Sequence, residues 1–250
     1  MENKYLISVL VSSKYIGLWE NVYRSLNQNN NIPFELIWVG PIPIKENALK
    51  NVKFIKTHVK PSQCWEIAAR LAKGKYLLPS CDDVMFSVSF LNKIYETILT
   101  SSKIDIIYTK YRKNSNAAVK QRVDKKRKKS PIAGLISVYD RKIWRKIGGI
   151  DRRFTAIWWS YDLQMRFFEL GGKAIMAKEC YSKEKSHRGK KSLTRTPRIA
   201  SKDKRLFNEL WYDNINRKYS TKRSSPVYSF SDKKILKISQ GEKGEDKYWK

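Results

Sequence analysis

The sequence predicts an α/β protein built on a mostly parallel β-sheet with helices on both faces. Apolar runs of strand length alternate with stretches of helical periodicity through residues 1–110, which is the pattern of a parallel sheet. The opening strand, residues 6–11, is apolar almost throughout, as is typical of a strand covered on both faces. The chain of 250 residues is long enough to build one full hydrophobic core.

Each element follows from its own pattern. Strands are expected where apolar runs end at glycine, proline or polar clusters. They fall at residues 6–11, 34–39, 52–55, 76–79, 104–108, 132–139 and 173–177. Helices are expected where apolar residues recur at intervals of three and four. The helical faces fall at residues 19–26, 67–72, 91–98, 163–170 and 206–211, with a short helix through Trp144.

Residues 1–200 are predicted to form one domain, and residues 201–250 add a C-terminal helix and a basic tail. The sequence has no apolar run long enough to span a membrane, and it opens without the layout of a signal peptide. The three cysteines include no C-x-x-C pair, so neither a zinc site nor a disulfide framework is indicated. A cytoplasmic protein is the simplest expectation.

The strong positive charge points to an anionic partner. Lys and Arg number 52 against 23 Asp and Glu, a net charge of +29. Residues 110–130 carry +9 of this charge and residues 178–198 carry +6. Over half of the net charge therefore lies in two stretches that are predicted to be loops. Basic loops of this kind suit an anionic ligand. Nucleic acid is not expected as the partner, because residues 110–130 offer only Tyr111 for stacking on bases.

Two adjacent carboxylates, Asp82 and Asp83, directly follow a predicted strand. Ligands of open α/β sheets bind beyond the carboxyl ends of the strands. Mg²⁺ and Mn²⁺ take one or two carboxylates together with substrate phosphates, so a divalent cation fits this position. The alternative is an exposed loop with a helix-capping aspartate near Ser87. The glycine-rich fingerprints of dinucleotide enzymes and P-loop ATPases are absent.

A second polar group comes later in the chain. Asp162 is expected in the first turn of a helix, where the helix dipole favours a carboxylate. Trp158 and Trp159 precede it and form either an apolar platform for a sugar ring or part of the core. A carboxylate beside such a platform suits a general base acting on an acceptor hydroxyl.

In order and spacing, these motifs resemble a family-two glycosyltransferase of the GT-A fold, a Rossmann-like α/β architecture. The resemblance spans about residues 5–190. The matching pieces are Ile7-Ser-Val-Leu-Val-Ser12, Glu35-Leu-Ile-Trp-Val39, the run from Ala72 to Asp83, Gly148-Gly-Ile-Asp-x-x-Phe154, Asp162-Leu-x-x-Arg166 and His187.

The resemblance implies an inverting transfer of a sugar from a nucleotide-diphosphate sugar to an acceptor hydroxyl, assisted by Mn²⁺ or Mg²⁺. The implied roles are metal binding for Asp83 and His187, nucleotide-sugar binding for Ser12, Lys14 and Asp82, and general base for Asp162. Trp158 and Trp159 are the candidates for acceptor binding. The expected acceptor is a glycan or lipid-linked molecule in polysaccharide biosynthesis. The remaining positive charge, including the basic tail, predicts peripheral contact of the protein with the inner face of an anionic membrane.

Three positions depart from the family pattern. Gly40 ends the second strand where the family has Asp, Cys81 replaces the first Asp of the Asp-X-Asp motif, and Trp159-Ser160 stand where Glu-Asp is usual. Two other interpretations therefore stay open. One is a GT-A-like protein that binds without catalysing, and the other is a basic nucleic-acid-binding protein on an α/β scaffold.

Overall fold

The computed structural model describes residues 4–13, 16–41, 49–113, 136–184, 197–213, 218–220 and 222–230. The strands are β1 (Ile7–Ser12), β2 (Phe34–Gly40), β3 (Val52–Lys56), β4 (Tyr76–Cys81), β5 (Val84–Phe86), β6 (Ile106–Lys113), β7 (Ser137–Asp140), β8 (Ala174–Glu184), β9 (Tyr212–Asp213) and β10 (Lys218–Tyr219). The helices are α1 (Trp19–Asn27), α2 (Pro61–Leu71), α3 (Phe90–Leu99), α4 (Arg141–Lys146), α5 (Trp159–Glu169) and α6 (Pro197–Trp211).

The main sheet has the strand order β3-β2-β1-β4-β7-β6-β8-β5 among the described residues. The neighbours β3-β2, β2-β1, β1-β4 and β6-β8 are parallel, whereas β7 and β5 pair antiparallel with their neighbours. The predicted α/β class with a mostly parallel sheet is confirmed. Since β1 and β4 are parallel and in register from Ile7↔Tyr76 to Ser12↔Cys81, their carboxyl ends meet at one edge.

Helices cover both faces of this sheet, as predicted. Successive side chains of a strand point to opposite faces. In β1, Val9 and Val11 accordingly join a core that includes Val22 of α1 and Ile94 of α3. Leu10 points the other way, into a core formed largely by α2, α5 and α6. All six residues of β1 are buried, which explains why its sequence is apolar without strict alternation.

The largest difference from the predicted elements concerns β8. A strand was expected only at residues 173–177, but β8 continues to Glu184 with a register shift opposite Tyr108 and Lys110 of β6. Glu179 has a positive φ of 52° within this irregular part. The second half of β8 alternates exposed and buried residues and is rich in charge, so it lacks the apolar run of the other strands. The short β5, which pairs with it, was not predicted either.

The C-terminal part of the described chain packs on the same core as the rest. Phe207, Leu210 and Trp211 of α6 and the later Phe230 belong to the cluster that contains Leu163 of α5. The predicted division at residue 200 falls inside α6. Among the described residues, no helix is both long and apolar enough to cross a membrane.

Candidate functional site

Polar side chains gather where β1 and β4 end side by side. Ser13 follows β1, and its Oγ donates a hydrogen bond to Oδ2 of Asp82 at 3.1 Å. Ser12 and Asp82 are buried at 8% and 9% exposure, whereas Asp83 is half-buried. The structure therefore brings Ser12 and the two predicted aspartates to one strand edge, the position at which α/β sheets bind ligands. We call Ser13, Cys81, Asp82, Asp83, Tyr111 and Glu184 the strand-end site.

Gly40, one of the departures from the family pattern, has a structural reason. The chain after β1 lies against the end of β2, with the Ser13 N–H donating to the Val39 carbonyl at 2.9 Å. A Cβ added at Gly40 would collide with the carbonyl oxygen of Ser13. An aspartate therefore does not fit here without a shift of the backbone. Gly40 therefore offers no side chain for a contact to a nucleotide base.

Tyr111 and Glu184 belong to the strand-end site but were not found from the sequence. Glu184 is paired in register with Val84, the residue after Asp83. The Tyr111 hydroxyl donates a hydrogen bond to Oε2 of Glu184 at 2.8 Å. Burial raises the pKa of Tyr111, and the negative charge of Glu184 and the nearby Cys81 and Asp83 raise it further. The pairing of β5 with β8, which no local pattern encodes, assembles this acidic corner.

The strand-end site fits a metal ion whose remaining ligands are phosphate oxygens of the substrate. The described residues contain no group of three or more His, Cys, Asp or Glu arranged to hold an ion alone. Mg²⁺ and Mn²⁺ need only one or two carboxylates when phosphates supply the other oxygens. Asp82 and Asp83 meet that requirement. The predicted ligand His187 and the predicted nucleotide contact Lys14 lie outside the described residues.

Asp162 lies in the first turn of α5, as predicted, but it is enclosed by donors. Its side chain has 0% exposure. Oδ1 accepts hydrogen bonds from Trp211 Nε1 and Arg223 Nε, both at 2.9 Å, and Oδ2 accepts one from Arg166 Nε at 3.1 Å. A general base must reach the acceptor hydroxyl. In this geometry, Asp162 could do so only after Arg223 moved away, and its role as the base stays a prediction.

Arg223 also binds a second buried carboxylate, Asp151. The guanidinium, 5% exposed, joins Asp151 Oδ2 through Nη2, and Arg153 binds the same carboxylate through Nη2 at 2.8 Å. Burial alone would raise the pKa of Asp151, but the hydrogen bonds from Arg153 and Arg223 outweigh it and lower the pKa to about 2. We call Asp151, Arg153, Asp162, Arg166 and Arg223 the buried acid cluster.

The glycine motif before this cluster is fixed by α2. Glu66 of α2 is fully buried and accepts hydrogen bonds from the Ile150 N–H at 2.9 Å and Trp144 Nε1 at 3.1 Å. Gly149 has φ of +66°, and a side chain there would collide with the Glu66 carboxylate. Glycine is therefore required at position 149, both for its backbone conformation and for the close approach of Glu66.

The two predicted platform tryptophans have different environments. Trp159 is only 4% exposed, and its ring packs against Trp65 at a centroid distance of 5.0 Å and Trp144 at 6.2 Å. Trp158 is half-buried and packs against Tyr161 and Phe207. In this structure Trp159 is a core residue, so of the pair only Trp158 presents part of its ring at the surface.

Trp65 connects the start of α5 with the strand-end site. Its ring packs on Trp159, and its Nε1 donates to the carbonyl oxygen of Ser80 in β4 at 2.8 Å. The start of α5 and the end of β4 are therefore held against the same indole. This contact links the two predicted parts of the site, although they lie about 80 residues apart in the sequence.

Comparison with solved structures identifies the fold. A structure of S. aureus TarS in complex with UDP matches with a TM-score of 0.54 and 14% identity, over 71% of this chain and 60% of that chain. S. aureus TarS in complex with UDP-GlcNAc gives 0.56 and 13%, over 82% and 72%. GalNAc-T7 with UDP, GalNAc and Mn²⁺ gives 0.60 and 12%, over 86% and 50%.

No model of a known protein family matches the sequence, and no curated protein matches it. This chain spans about 60% of the UDP-bound TarS chain and half of GalNAc-T7. At identities this low, the likeness concerns the fold. The GT-A type α/β architecture predicted from the sequence is confirmed.

Proposed function

We propose that this protein is a glycosyltransferase that takes a sugar from a nucleotide-diphosphate sugar and transfers it to an acceptor hydroxyl. The observation that carries the proposal is the strand-end site, where Asp82, held by Ser13, and Asp83 stand at the carboxyl ends of β1 and β4. The structural neighbours bound to UDP, UDP-GlcNAc or UDP with GalNAc support a nucleotide-sugar donor.

Asp83 and Asp82 would hold Mn²⁺ or Mg²⁺ together with the donor phosphates. A bound metal neutralises charge on the diphosphate leaving group. Mn²⁺ in the GalNAc-T7 structure supports a divalent ion, and the choice between the two ions is part of the proposal. Ser12 lies beside this position and would contact the nucleoside, as the resemblance implies. Lys14 and His187 keep their proposed roles in nucleotide and metal binding.

The proposed chemistry at the acceptor is inverting, with Asp162 as general base and Trp158 as a contact for the acceptor. The position of Asp162 in the first turn of α5, joined to β4 through Trp65 and Trp159, supports this assignment. Proton transfer to Asp162 needs Arg223 to withdraw from Oδ1. The acceptor, a glycan or lipid-linked molecule, is proposed from the resemblance.

A GT-A-like protein that binds a donor without transferring its sugar is the second candidate. A specific observation favours it: both oxygens of the Asp162 carboxylate are occupied by Trp211, Arg166 and Arg223. Ser160, which is 5% exposed, stands where the family usually has a carboxylate, and it offers no comparable base.

The two candidates separate in one assay. The protein is incubated with a panel of nucleotide-diphosphate sugars, a mixture of glycan acceptors and Mn²⁺ or Mg²⁺, and both donor binding and release of the nucleoside diphosphate on sugar transfer are measured. A glycosyltransferase releases the nucleotide in a metal-dependent manner, and a chelator stops the release. Binding without release supports the second candidate. Absence of binding to every donor contradicts both.

A further inference from the structure

A positively charged surface lies away from the strand-end site. Its exposed side chains come from α4 and from the loop between α2 and β4. The two segments are joined directly, since Arg141 Nη1 donates to the Ala72 carbonyl at 2.9 Å and Arg145 Nη2 to the Arg70 carbonyl at 3.0 Å. We call this surface the basic face; its members are Lys73, Lys75, Lys142, Arg145 and Lys146.

The acids that contact the basic face are buried and already bound. Glu35, 5% exposed, accepts from Ser8 Oγ and the Gly74 N–H. Asp140, 4% exposed, caps α4 by accepting from the first N–H groups of the helix. Glu66 is fully buried beneath α4. These carboxylates stabilise the backbone and present no negative surface of their own.

Two other charged surfaces of the described chain are mixed. On α1, Arg24 forms an exposed pair with Glu20, and at α3, Lys93 pairs with the exposed Glu179. Asp105, beside the basic face, is half-buried and accepts from the backbone N–H groups of Ser102 and Lys173. The basic face therefore differs from α1 and α3 in carrying exposed cations whose nearest acids are turned into the protein.

The basic face is too far from the strand-end site to serve the donor. Lys75 directly precedes β4, and Asp82 directly follows it. Six strand residues span about 20 Å at roughly 3.3 Å each. This exceeds the distance of about 8 Å over which exposed charges act at physiological salt. The donor of the strand-end site is therefore not the partner of the basic face.

The side chains of the basic face suit an anionic bilayer better than a polynucleotide. Four of its five members are lysines, whose ammonium groups are compact point charges, unlike the planar guanidinium of arginine, which binds phosphate through two hydrogen bonds. Among the described residues, no exposed aromatic ring lies between the lysines to stack on bases.

We propose that the basic face docks the protein on a membrane surface rich in anionic lipid. The contact is electrostatic and peripheral, with Lys142 and Lys146 on the exposed side of α4 at its centre. The strand-end site lies at the other end of β4 from this contact. This proposal is independent of the transfer reaction and goes beyond it.

Sedimentation with vesicles tests the proposal at low ionic strength. The vesicles contain phosphatidylcholine with or without phosphatidylglycerol. Lys142→Glu/Lys146→Glu is compared with Lys53→Glu/Lys56→Glu, which makes the same charge change on the exposed edge strand β3. Thermal unfolding first checks that both variants are folded. A milder Lys142→Gln/Lys146→Gln variant covers the case in which glutamates disturb α4.

The wild-type protein and the β3 control are expected to bind vesicles only when phosphatidylglycerol is present. Lys142→Gln/Lys146→Gln loses two lysines at about 1 kcal/mol each and should bind about 30-fold more weakly, and Lys142→Glu/Lys146→Glu, which also adds two negative charges, should bind more weakly still. Nucleotide-sugar binding, measured separately, is expected to be the same in all variants. Equal vesicle binding by the α4 variants and the wild type overturns the proposal. The proposal is also overturned if the wild type binds RNA but not vesicles, and the α4 variants lose the RNA binding.

Discussion

Two pairs of aspartates in this molecule have opposite environments. Asp82 and Asp83 stand at the end of β4, and Asp83 is half-buried at the protein surface. Asp151 and Asp162 in the buried acid cluster have 0% exposure and are bound by arginines. The comparison teaches that access and partners decide what a carboxylate does: a pair at a strand edge with one half-buried member can recruit a cation, whereas a pair enclosed by arginines stabilises the fold.

Removal of the aromatic connection between these regions is expected to have the largest effect. Trp159→Ala should lower the free energy of unfolding by about 3–5 kcal/mol, because the ring is buried between Trp65 and Trp144. Trp158→Ala is the matched control and should cost clearly less, since Trp158 is half-buried. Chemical denaturation measures both values. Equal losses in the free energy of unfolding would mean that Trp159 is not a core residue.

Asp162→Asn should lower the free energy of unfolding by roughly 3 kcal/mol, because the buried Arg166 would lose its paired carboxylate and Arg223 would lose one of its two. Glu20→Gln breaks the exposed pair with Arg24 and should change the free energy of unfolding by less than about 1 kcal/mol. Denaturation of both variants measures the contrast. A fully stable Asp162→Asn protein that binds donor but fails to transfer sugar would instead favour a purely catalytic role.

Asp151 makes the stability of the protein depend on acid. Its pKa is lowered from 3.8 to about 2 in the folded protein. The stabilisation is therefore complete above pH 3.8 and is lost as the pH falls towards 2. Denaturation between these pH values should show a steeper loss for the wild type than for Asp151→Asn. Identical slopes in the two proteins would contradict the assigned pairing with Arg153 and Arg223.

A small effect on stability is expected at the strand-end site. Ser13→Ala removes one hydrogen bond to Asp82 and should lower the free energy of unfolding by about 1 kcal/mol. Donor affinity should fall as well, because Asp82 loses the group that orients it. Calorimetric titration with a nucleotide-sugar measures the second effect. A loss of stability equal to that of Asp162→Asn would erase the contrast between the two regions.

The sequence predicted the parts of the fold that local patterns encode. The buried runs of β1, β2 and β4 and the helical faces identified the sheet and its two layers, and the strand that precedes Asp82 located the strand-end site. Glu184 was missed because its place there depends on the pairing of β5 with the polar second half of β8. Long-range pairing of exposed, charged strands leaves no apolar signal.

The environment of Asp162 could not be predicted for a related reason. Its spacing to Arg166, one helical turn later, is visible in the sequence and indicates an ion pair. The partners Trp211 and Arg223 come from 49 and 61 residues further along the chain. Only the packing of α6 and residues 222–230 against α5 shows that the carboxylate is enclosed.

Donor binding by the strand-end site tests the central claim most directly. Calorimetric titration of UDP-GlcNAc, the donor bound by a structural neighbour, is carried out with Mn²⁺ on the wild type, Asp83→Asn and the control Glu20→Gln. The wild type and the control should bind the donor in a metal-dependent manner, whereas Asp83→Asn should lose the metal-dependent part. Equal metal-dependent affinity in the wild type and Asp83→Asn would contradict the assignment of this edge as the donor site.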